Sequence, residues 1–133
     1  MKLTVLGSGT MVPTEKRGPS CYLLEEGDKR ILLDCGHMTM ARLLEHGIDI
    51  QSIDIACITH FHTDHFSNLL PLIHARAVED MMAKRESNTL TIFGPKTLEE
   101  RFEKLRDVMW PEPNEGYPLA FCGGVTPETS GLM

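Results

Sequence analysis

The stretch Ile53-Asp54-Ile55-Ala56-Cys57-Ile58-Thr59-His60-Phe61-His62-Thr63-Asp64-His65 joins an apolar run to four potential metal ligands within six residues. The apolar run predicts a buried strand over residues 53–59, and the tip of a strand is a rigid mount for the side chains that follow it. Imidazole nitrogens together with a carboxylate suit Zn²⁺ and similar metals. A single histidine on a polar loop is usually a surface residue, but three histidines and an aspartate this close together favour a metal site.

The spacing within this histidine loop (residues 60–65) divides the ligands into two pairs. We expect His60 and His62 to converge on one metal, with Asp64 and His65 turned the other way, towards a second. The aromatic side chain of Phe61 is expected to point away and anchor the loop in the core. A catalytic zinc usually takes three protein ligands and a water, so a segment this short cannot complete two such sites alone.

The composition indicates one globular domain. The chain has 133 residues, of which 41% are hydrophobic, enough for a packed core. Lys and Arg number 13 against 19 Asp and Glu, which gives a formal net charge of −6. This balance argues against broad binding to a nucleic-acid backbone, which requires clustered cations, but it does not exclude RNA held at a metal centre.

The cysteines and the amino terminus favour a soluble, cytoplasmic protein. The chain has no Cys-x-x-Cys pair, and its four cysteines are expected to be free thiols: Cys21, Cys35, Cys57 and Cys122. Residues 1–7 reach a glycine too soon for a signal peptide. No apolar stretch approaches the ~20 residues needed to cross a bilayer.

Strands and helices alternate along most of the sequence. Strands are predicted over residues 2–6, 21–25, 30–34, 53–59 and 89–93, with a hairpin turn at 26–29. Helices are predicted after Gly36, after a Ser67-Asn68 cap, and from Thr97, the last with Leu98, Phe102, Leu105 and Met109 on one stripe. From Trp110 onward, prolines and glycines predict a loop-rich end without a finished capping element.

The loop motif His-x-His-x-Asp-His after a strand resembles the signature of the metallo-β-lactamase superfamily. Leu6-Gly7-Ser8-Gly9-Thr10 and Leu32-Leu33-Asp34-Cys35-Gly36 are typical of that superfamily's opening strands. The proline-bearing, basic stretch Val12-Pro13-Thr14-Glu15-Lys16-Arg17 is similar to the ribonuclease Z-like branch, whereas Thr63 stands where that branch commonly has glycine. The resemblance covers most of residues 1–95 and implies the amino-terminal half of a four-layer αββα sandwich, an α/β fold, within a single incomplete domain over residues 1–133.

The same resemblance implies roles for individual side chains. His60 and His62 would bind the first metal, and Asp64 and His65 the second, with two zinc ions expected and manganese or iron as alternatives. Asp64 would also be catalytic, by orienting the attacking water. Asp34 would lie beneath the loop and hold a ligand histidine through its carboxylate. An equally weighted alternative makes Asp34 the N-cap of the helix after Gly36, whose ends need such acceptors.

The implied activity is metal-dependent hydrolysis by a water that two metals activate, with a phosphodiester as substrate, as in ribonuclease Z acting at the 3′ end of transfer RNA. Lys16 and Arg17 would contact phosphate, although a solvated basic loop is an equal alternative. Hydrolysis of small esters, lactones, sulfate esters or cyclic phosphodiesters is the alternative within the superfamily. A catalytically inactive metal-binding or interaction fragment is the alternative outside it. The parent family often forms homodimers.

The family pattern also requires a later histidine, an aspartate that bridges both metals, and a final histidine. The remaining histidines, His37, His46 and His74, all precede those positions. His37 is expected to make a local polar contact, His46 to end a helix, and His74 to be a packing or surface residue. We therefore expect a half-built site, either from the amino-terminal part of a longer protein or from a natural truncation, with completion in trans as a third arrangement.

Overall fold

The computed structural model describes residues 1–110 and 117–124, and within them a single mixed sheet with helices. The strands are β1 (Lys2–Gly7), β2 (Cys21–Glu26), β3 (Lys29–Leu33), β4 (Ile55–Cys57), β5 (Leu90–Gly94) and β6 (Leu119–Gly123). The helices are α1 (Thr39–Glu45), α2 (Thr63–Phe66), α3 (Leu69–Ala83) and α4 (Leu98–Met109), with a 3₁₀ turn at Ile50–Ser52. The predicted α/β class is therefore confirmed.

The six strands lie in chain order across the sheet. β1, β2 and β3 are antiparallel neighbours, and Gly27, at φ +56°, supplies the left-handed residue of the tight β2–β3 hairpin. β3, β4, β5 and β6 are parallel, so each connection crosses back through a helical segment. The carboxyl ends of β3 and β4 consequently meet at one edge of the sheet, which places Asp34 beside the start of the histidine loop.

The sheet has one face that helices cover. Successive parallel connections all step in the same direction, so right-handed crossovers place α1, α3 and α4 on the same side. The strand residues that face them are fully buried: Leu23, Leu32, Ala56 and Ile92 are 0% exposed. They belong to one hydrophobic cluster with the helix residues Leu43, Leu69, Leu72, Ile73, Leu98 and Phe102. This helix-covered face forms the core.

The opposite face is apolar but incompletely covered. Two rows of residues in register form this open face: Leu3, Leu24, Ile31, Ile55, Thr91 and Ala120, then Val5, Tyr22, Leu33, Cys57, Phe93 and Cys122. Leu3 is 55% exposed, Val5 51% and Phe93 36%. Within the described residues, the open face is a continuous apolar surface that water reaches.

One strand prediction changed markedly at its ends. The strand predicted over residues 53–59 is confirmed only for Ile55–Cys57, and the 3₁₀ turn at Ile50–Ser52 precedes it. The backbone of Asp54 still bonds to both neighbours, donating to the carbonyl of Arg30 and accepting from the N–H of Thr91, each at 3.0 Å, and its carboxylate also accepts from the backbone N–H of Arg30 at 2.9 Å. The other four strands are confirmed within one or two residues.

The loop-rich end predicted from Trp110 was wrong for residues 119–123, which form β6. Backbone pairing with β5 outweighs the local glycine content, and the Phe121 ring lies 5.4 Å from that of Phe102. β6 thus extends the sheet beyond β5. Pro111 and Pro113, and the closing residues from Val125 to Met133, lie outside the described residues.

Two helix details also differ from expectation. Asn68 was predicted to cap α3, but its side-chain oxygen accepts from the backbone N–H of Met40 at 3.0 Å and makes no cap bond to its own helix. Met109 was predicted on one apolar stripe with Leu98 and Phe102, and it is 61% exposed whereas those two residues are buried. No helix in the described ranges is long and apolar enough to traverse a membrane.

Candidate metal centre

The candidate site is built where β3 and β4 end side by side. The backbone N–H of Asp34 donates to the carbonyl of Cys57 at 2.8 Å, and that of Ile58 donates to Phe93 at 2.8 Å. These bonds carry the sheet pairing past the strand ends and fix the start of the loop. The chain then runs extended through His62 before α2 begins at Thr63.

The carboxylate of Asp34 is the centre of the hydrogen bonding here. It is 7% exposed and accepts from the backbone N–H of Thr59 at 2.8 Å, from the Thr59 hydroxyl at 3.0 Å and from Nδ1 of His65 at 2.7 Å. The backbone at Asp34 has φ +60°, a left-handed conformation that aspartate tolerates better than most residues. The N-cap alternative was wrong, because α1 begins at Thr39 and Met38 is its N-cap.

These contacts determine which nitrogen of two histidines is available. A carboxylate only accepts, so Nδ1 of His65 carries the proton that it donates to Asp34. Nδ1 of His60 lies 2.9 Å from the Thr59 hydroxyl. With its single proton donated to Asp34, that hydroxyl can only accept from Nδ1–H of His60. In the neutral form of each ring, this pattern places the unprotonated nitrogen at Nε2, the form that binds a metal.

The second predicted pair has a separation suited to one metal ion. Nε2 of His65 lies 3.3 Å from Oδ2 of Asp64. Two donors in a tetrahedral zinc shell with bonds of about 2.0–2.1 Å lie about 3.3 Å apart. Asp64 and His65 therefore fit two corners of such a shell.

The two predicted pairs lie close together. The ring centroid of His60 is 4.7 Å from that of His62 and 4.0 Å from that of His65. The reason is α2, a single helical turn that the sequence analysis missed and that brings His65 back towards His60. His60 thus stands between the other two rings, and His62 is the most exposed of the three.

Backbone contacts hold this turn in place. Cys35 donates its N–H to the carbonyl of His65 at 2.7 Å, and Asn68 donates to the carbonyl of Cys35 at 2.9 Å. A side chain at Gly36 would place its Cβ 1.9 Å from the carbonyl oxygen of Asp64. Only glycine permits that approach. Thr59 and Gly36 were not singled out as site residues from the sequence, although both border motifs that were.

Phe61 anchors the loop as predicted. Its ring is partly buried against the core and meets Phe66 edge to face, with centroids 5.3 Å apart. The guanidinium of Arg101 lies over the Phe61 ring, 4.6 Å from its centroid. These two contacts hold the ring and so limit how far the neighbouring histidines can move.

Lys16 and Arg17 lie on the exposed loop between β1 and β2. The backbone of Arg17 forms a turn with Thr14, donating to its hydroxyl at 3.1 Å. The same loop reaches the histidine loop, because the Thr63 hydroxyl lies 3.2 Å from the sulfur of Met11. Contact of the two cations with a substrate stays a prediction.

The donor set is partial within the described residues. Over residues 1–110 and 117–124, no group of three His, Cys, Asp or Glu side chains is arranged to hold one ion. His46 ends α1, as predicted, while His74 stacks on Trp110 with centroids 4.1 Å apart and His37 is exposed. None of these three histidines joins the histidine loop in a donor group within the described residues. The loop residues alone fit one side of a metal centre.

Three of the four thiols do not offer an alternative nucleophile. Burial raises the pKa of Cys21 to about 11 and the pKa of Cys35 well above its ordinary value. Burial also raises the pKa of Cys57. Since the thiolate is the reactive form, these three groups are unreactive near neutral pH.

Comparison with known proteins agrees with this geometry. The sequence pattern of the metallo-beta-lactamase superfamily matches residues 14–126. Ribonuclease Z of Agathobacter rectalis is 36% identical over 108 residues, which cover 81% of this chain and 34% of that protein. Ribonuclease Z of Methanopyrus kandleri is 37% identical over 90 residues, covering 68% and 30%. The chain therefore spans about a third of the length of these curated relatives.

Two solved structures extend the comparison to three dimensions. The metallo-beta-lactamase fold protein YhfI from Bacillus subtilis has a TM-score of 0.73 at 27% identity, over 92% of this chain and 46% of that one. Human tRNase Z, short form, has a TM-score of 0.76 at 26% identity, over 91% and 43%. Both confirm the predicted fold class. The chain belongs to the metallo-β-lactamase superfamily, in its ribonuclease Z-like branch.

Proposed function

We propose that this chain contributes the first side of a metal-dependent hydrolase site that acts on phosphodiesters. The observation that carries the proposal is the contact between Nδ1 of His65 and the carboxylate of Asp34 at 2.7 Å, which leaves Nε2 of His65 to face a metal. The 3.3 Å separation between His65 and Asp64 gives further support, since two donors to one ion stand about that far apart.

In this proposal His60 and His62 hold one metal ion, and Asp64 and His65 hold a second. Zinc is the proposed ion, with manganese or iron as alternatives, because imidazole and carboxylate ligands suit all three. Two bound cations would lower the pKa of a water and stabilise the negative charge that develops during its attack. Asp64 would accept a hydrogen bond from that water and orient it, and Asp34 would keep His65 in the ligating tautomer.

The open face supports a further part of the proposal, that residues 1–133 are one half of an αββα domain. A face of this kind, apolar along two registered rows, requires a second sheet or another layer against it. The second layer would bring the later histidine, the bridging aspartate and the final histidine that complete the two metal shells.

The proposed substrate is RNA, on the pattern of precursor transfer RNA cut at its 3′ end. The support is the similarity to two ribonuclease Z proteins and to human tRNase Z. Lys16 and Arg17 would contact phosphate, since their loop touches the histidine loop through Met11. Homodimer formation and a cytoplasmic location belong to the same proposal; the latter fits the four free thiols.

Metal analysis of the purified chain tests the site. Wild type is expected to retain zinc or manganese after gel filtration, and His62→Ala is expected to lose most of it. His37→Ala is the matched control, because His37 is exposed and lies outside the loop. Equal metal content in wild type and His62→Ala would contradict the proposed ligand set.

A second candidate is a metal-binding or interaction module without catalysis. It is favoured by the partial donor set and by the open face within the described residues. Zinc-loaded chain assayed on a phosphodiester reporter, a carboxylate ester and a short RNA distinguishes the two. Turnover that His62→Ala abolishes supports the hydrolase, whereas metal binding without turnover of any substrate supports the module for this chain.

A further inference from the structure

We propose that Thr59 is a positioning residue. Its hydroxyl links the carboxylate of Asp34 to Nδ1 of His60 by hydrogen bonds and thereby fixes the tautomer and direction of that imidazole. The inference rests on the proposed function, since it concerns a histidine expected to bind metal. Neither the histidine motif nor the roles proposed for its ligands includes Thr59.

The proton count in this chain of contacts has one consistent solution. The Thr59 hydroxyl lies 3.0 Å from each oxygen of Asp34 and 2.9 Å from Nδ1 of His60. If the hydroxyl donated its proton to Nδ1, the lone pairs of the hydroxyl oxygen would face those of the carboxylate with no proton between them, which is repulsive. The hydroxyl must therefore donate to Asp34 and accept from Nδ1–H of His60.

One carboxylate thus orients two histidines by different routes. Asp34 holds His65 directly at 2.7 Å, but it reaches His60 only through the hydroxyl. The backbone N–H of Thr59 also donates to Asp34, at 2.8 Å, and this bond survives any side-chain change. Removal of the hydroxyl should therefore release His60 and leave both His65 and the end of β4 in place.

The exposure of Thr59 argues against a role in core packing. Thr59 is exposed, in contrast to the buried Ile58 before it. Valine has nearly the shape of threonine without the hydroxyl, and serine keeps the hydroxyl without the methyl group. The pair Thr59→Val and Thr59→Ser consequently separates the hydrogen bond from the shape.

The test combines two measurements on the 133-residue chain. In the metal-free protein at pH ~8, above the ordinary histidine pKa of about 6.5, long-range ¹H–¹⁵N spectra report which ring nitrogen carries the proton. Competition with a chromophoric chelator then reports zinc affinity. Thr91→Val, on the neighbouring strand β5, is the matched control.

We expect His60 to carry its proton on Nδ1 in wild type, Thr59→Ser and Thr91→Val, and to populate both tautomers in Thr59→Val. Zinc affinity should fall about tenfold or more in Thr59→Val alone, the size seen for lost partners of metal ligands. An unchanged tautomer and affinity in a folded Thr59→Val would overturn the proposal, as would a loss in Thr59→Ser equal to that in Thr59→Val. If wild type binds no zinc, the proposed function fails, while the tautomer spectra still decide the role of Thr59.

Discussion

The helix-covered face and the open face belong to the same six strands but differ in how completely they are buried. On β3, Leu32 is 0% exposed beneath the helices, whereas its neighbour Leu33 points to the open face and keeps contact with water. Successive side chains along a strand point to opposite faces of the sheet, and here both faces carry apolar residues. Only one face is packed within the described residues. The described residues therefore form a packed core on one face of the sheet and leave the other apolar face uncovered.

The candidate metal site lies at the sheet edge, and like the sheet it has one complete side and one incomplete side within the described residues. Its supporting side is complete, because the carboxylate of Asp34 is satisfied by Thr59 and His65. Its ligand side has donors in pairs and no group of three in the described ranges. A layer added over the open face would therefore be expected to complete both the packing and the metal shells.

The largest expected effect is on stability, from two neighbouring leucines on β3. Leu32→Ala leaves a cavity in the core and should lower the free energy of unfolding by about 2–5 kcal/mol. Leu33→Ala, on the open face, should cost about 1 kcal/mol or less. Urea denaturation followed by circular dichroism measures both. Equal losses would mean that the two faces are equally packed.

The next effect concerns the support beneath the histidine loop. Asparagine also tolerates the left-handed backbone at position 34, so Asp34→Asn keeps the fold while it removes a carboxylate oxygen that accepts from His65 or Thr59. Zinc affinity should fall about 10–100-fold. Asp28→Asn, in the exposed β2–β3 turn, is the control for charge alone. An affinity equal to that of the control would contradict the role given to Asp34.

A smaller effect is expected on self-association through the open face. Exposed apolar surfaces of this kind promote contact between copies. Val5→Lys with Phe93→Lys should weaken concentration-dependent association about tenfold, because two charged groups then occupy one row of the open face. Val108→Lys is the control: it also replaces an exposed apolar side chain by lysine, but it lies on α4, where Val108 is 80% exposed. Sedimentation velocity over a concentration series reads the result, and an equal effect from Val108→Lys would contradict a face-specific contact.

The smallest change to the protein is alkylation of its thiols, which maps the faces without mutation. Cys122 is exposed on the open face and should react first with iodoacetamide. Burial raises the pKa of Cys21 to about 11, so its thiolate forms only as the pH approaches that value, and its reaction at pH ~8 should be very slow. Peptide mass spectrometry over a pH series follows each site. Fast labelling of Cys21 at neutral pH would contradict its placement in the core.

The sequence predicted most elements because their hydrophobic periods and turn residues agree with the packing. It identified the His60–His65 loop and the position of Asp34 through a local motif. It missed β6, because the pairing of residues 119–123 with β5 is a long-range contact against the local glycine signal. It also missed α2 and the role of Thr59, since neither the turn that returns His65 to His60 nor the hydroxyl contact follows from spacing.

The central claim is that the histidine loop, supported by Asp34, binds metal through Nε2 of His60 and His65. Titration of the uniformly ¹⁵N-labelled chain with Zn²⁺, followed in long-range imidazole spectra, tests it most directly. The account predicts that the Nε2 resonances of His60 and His65 shift and that those of His37, His46 and His74 stay in place. Zinc-dependent shifts confined to those three histidines, or no shift at His60 and His65 at saturating zinc, would contradict it.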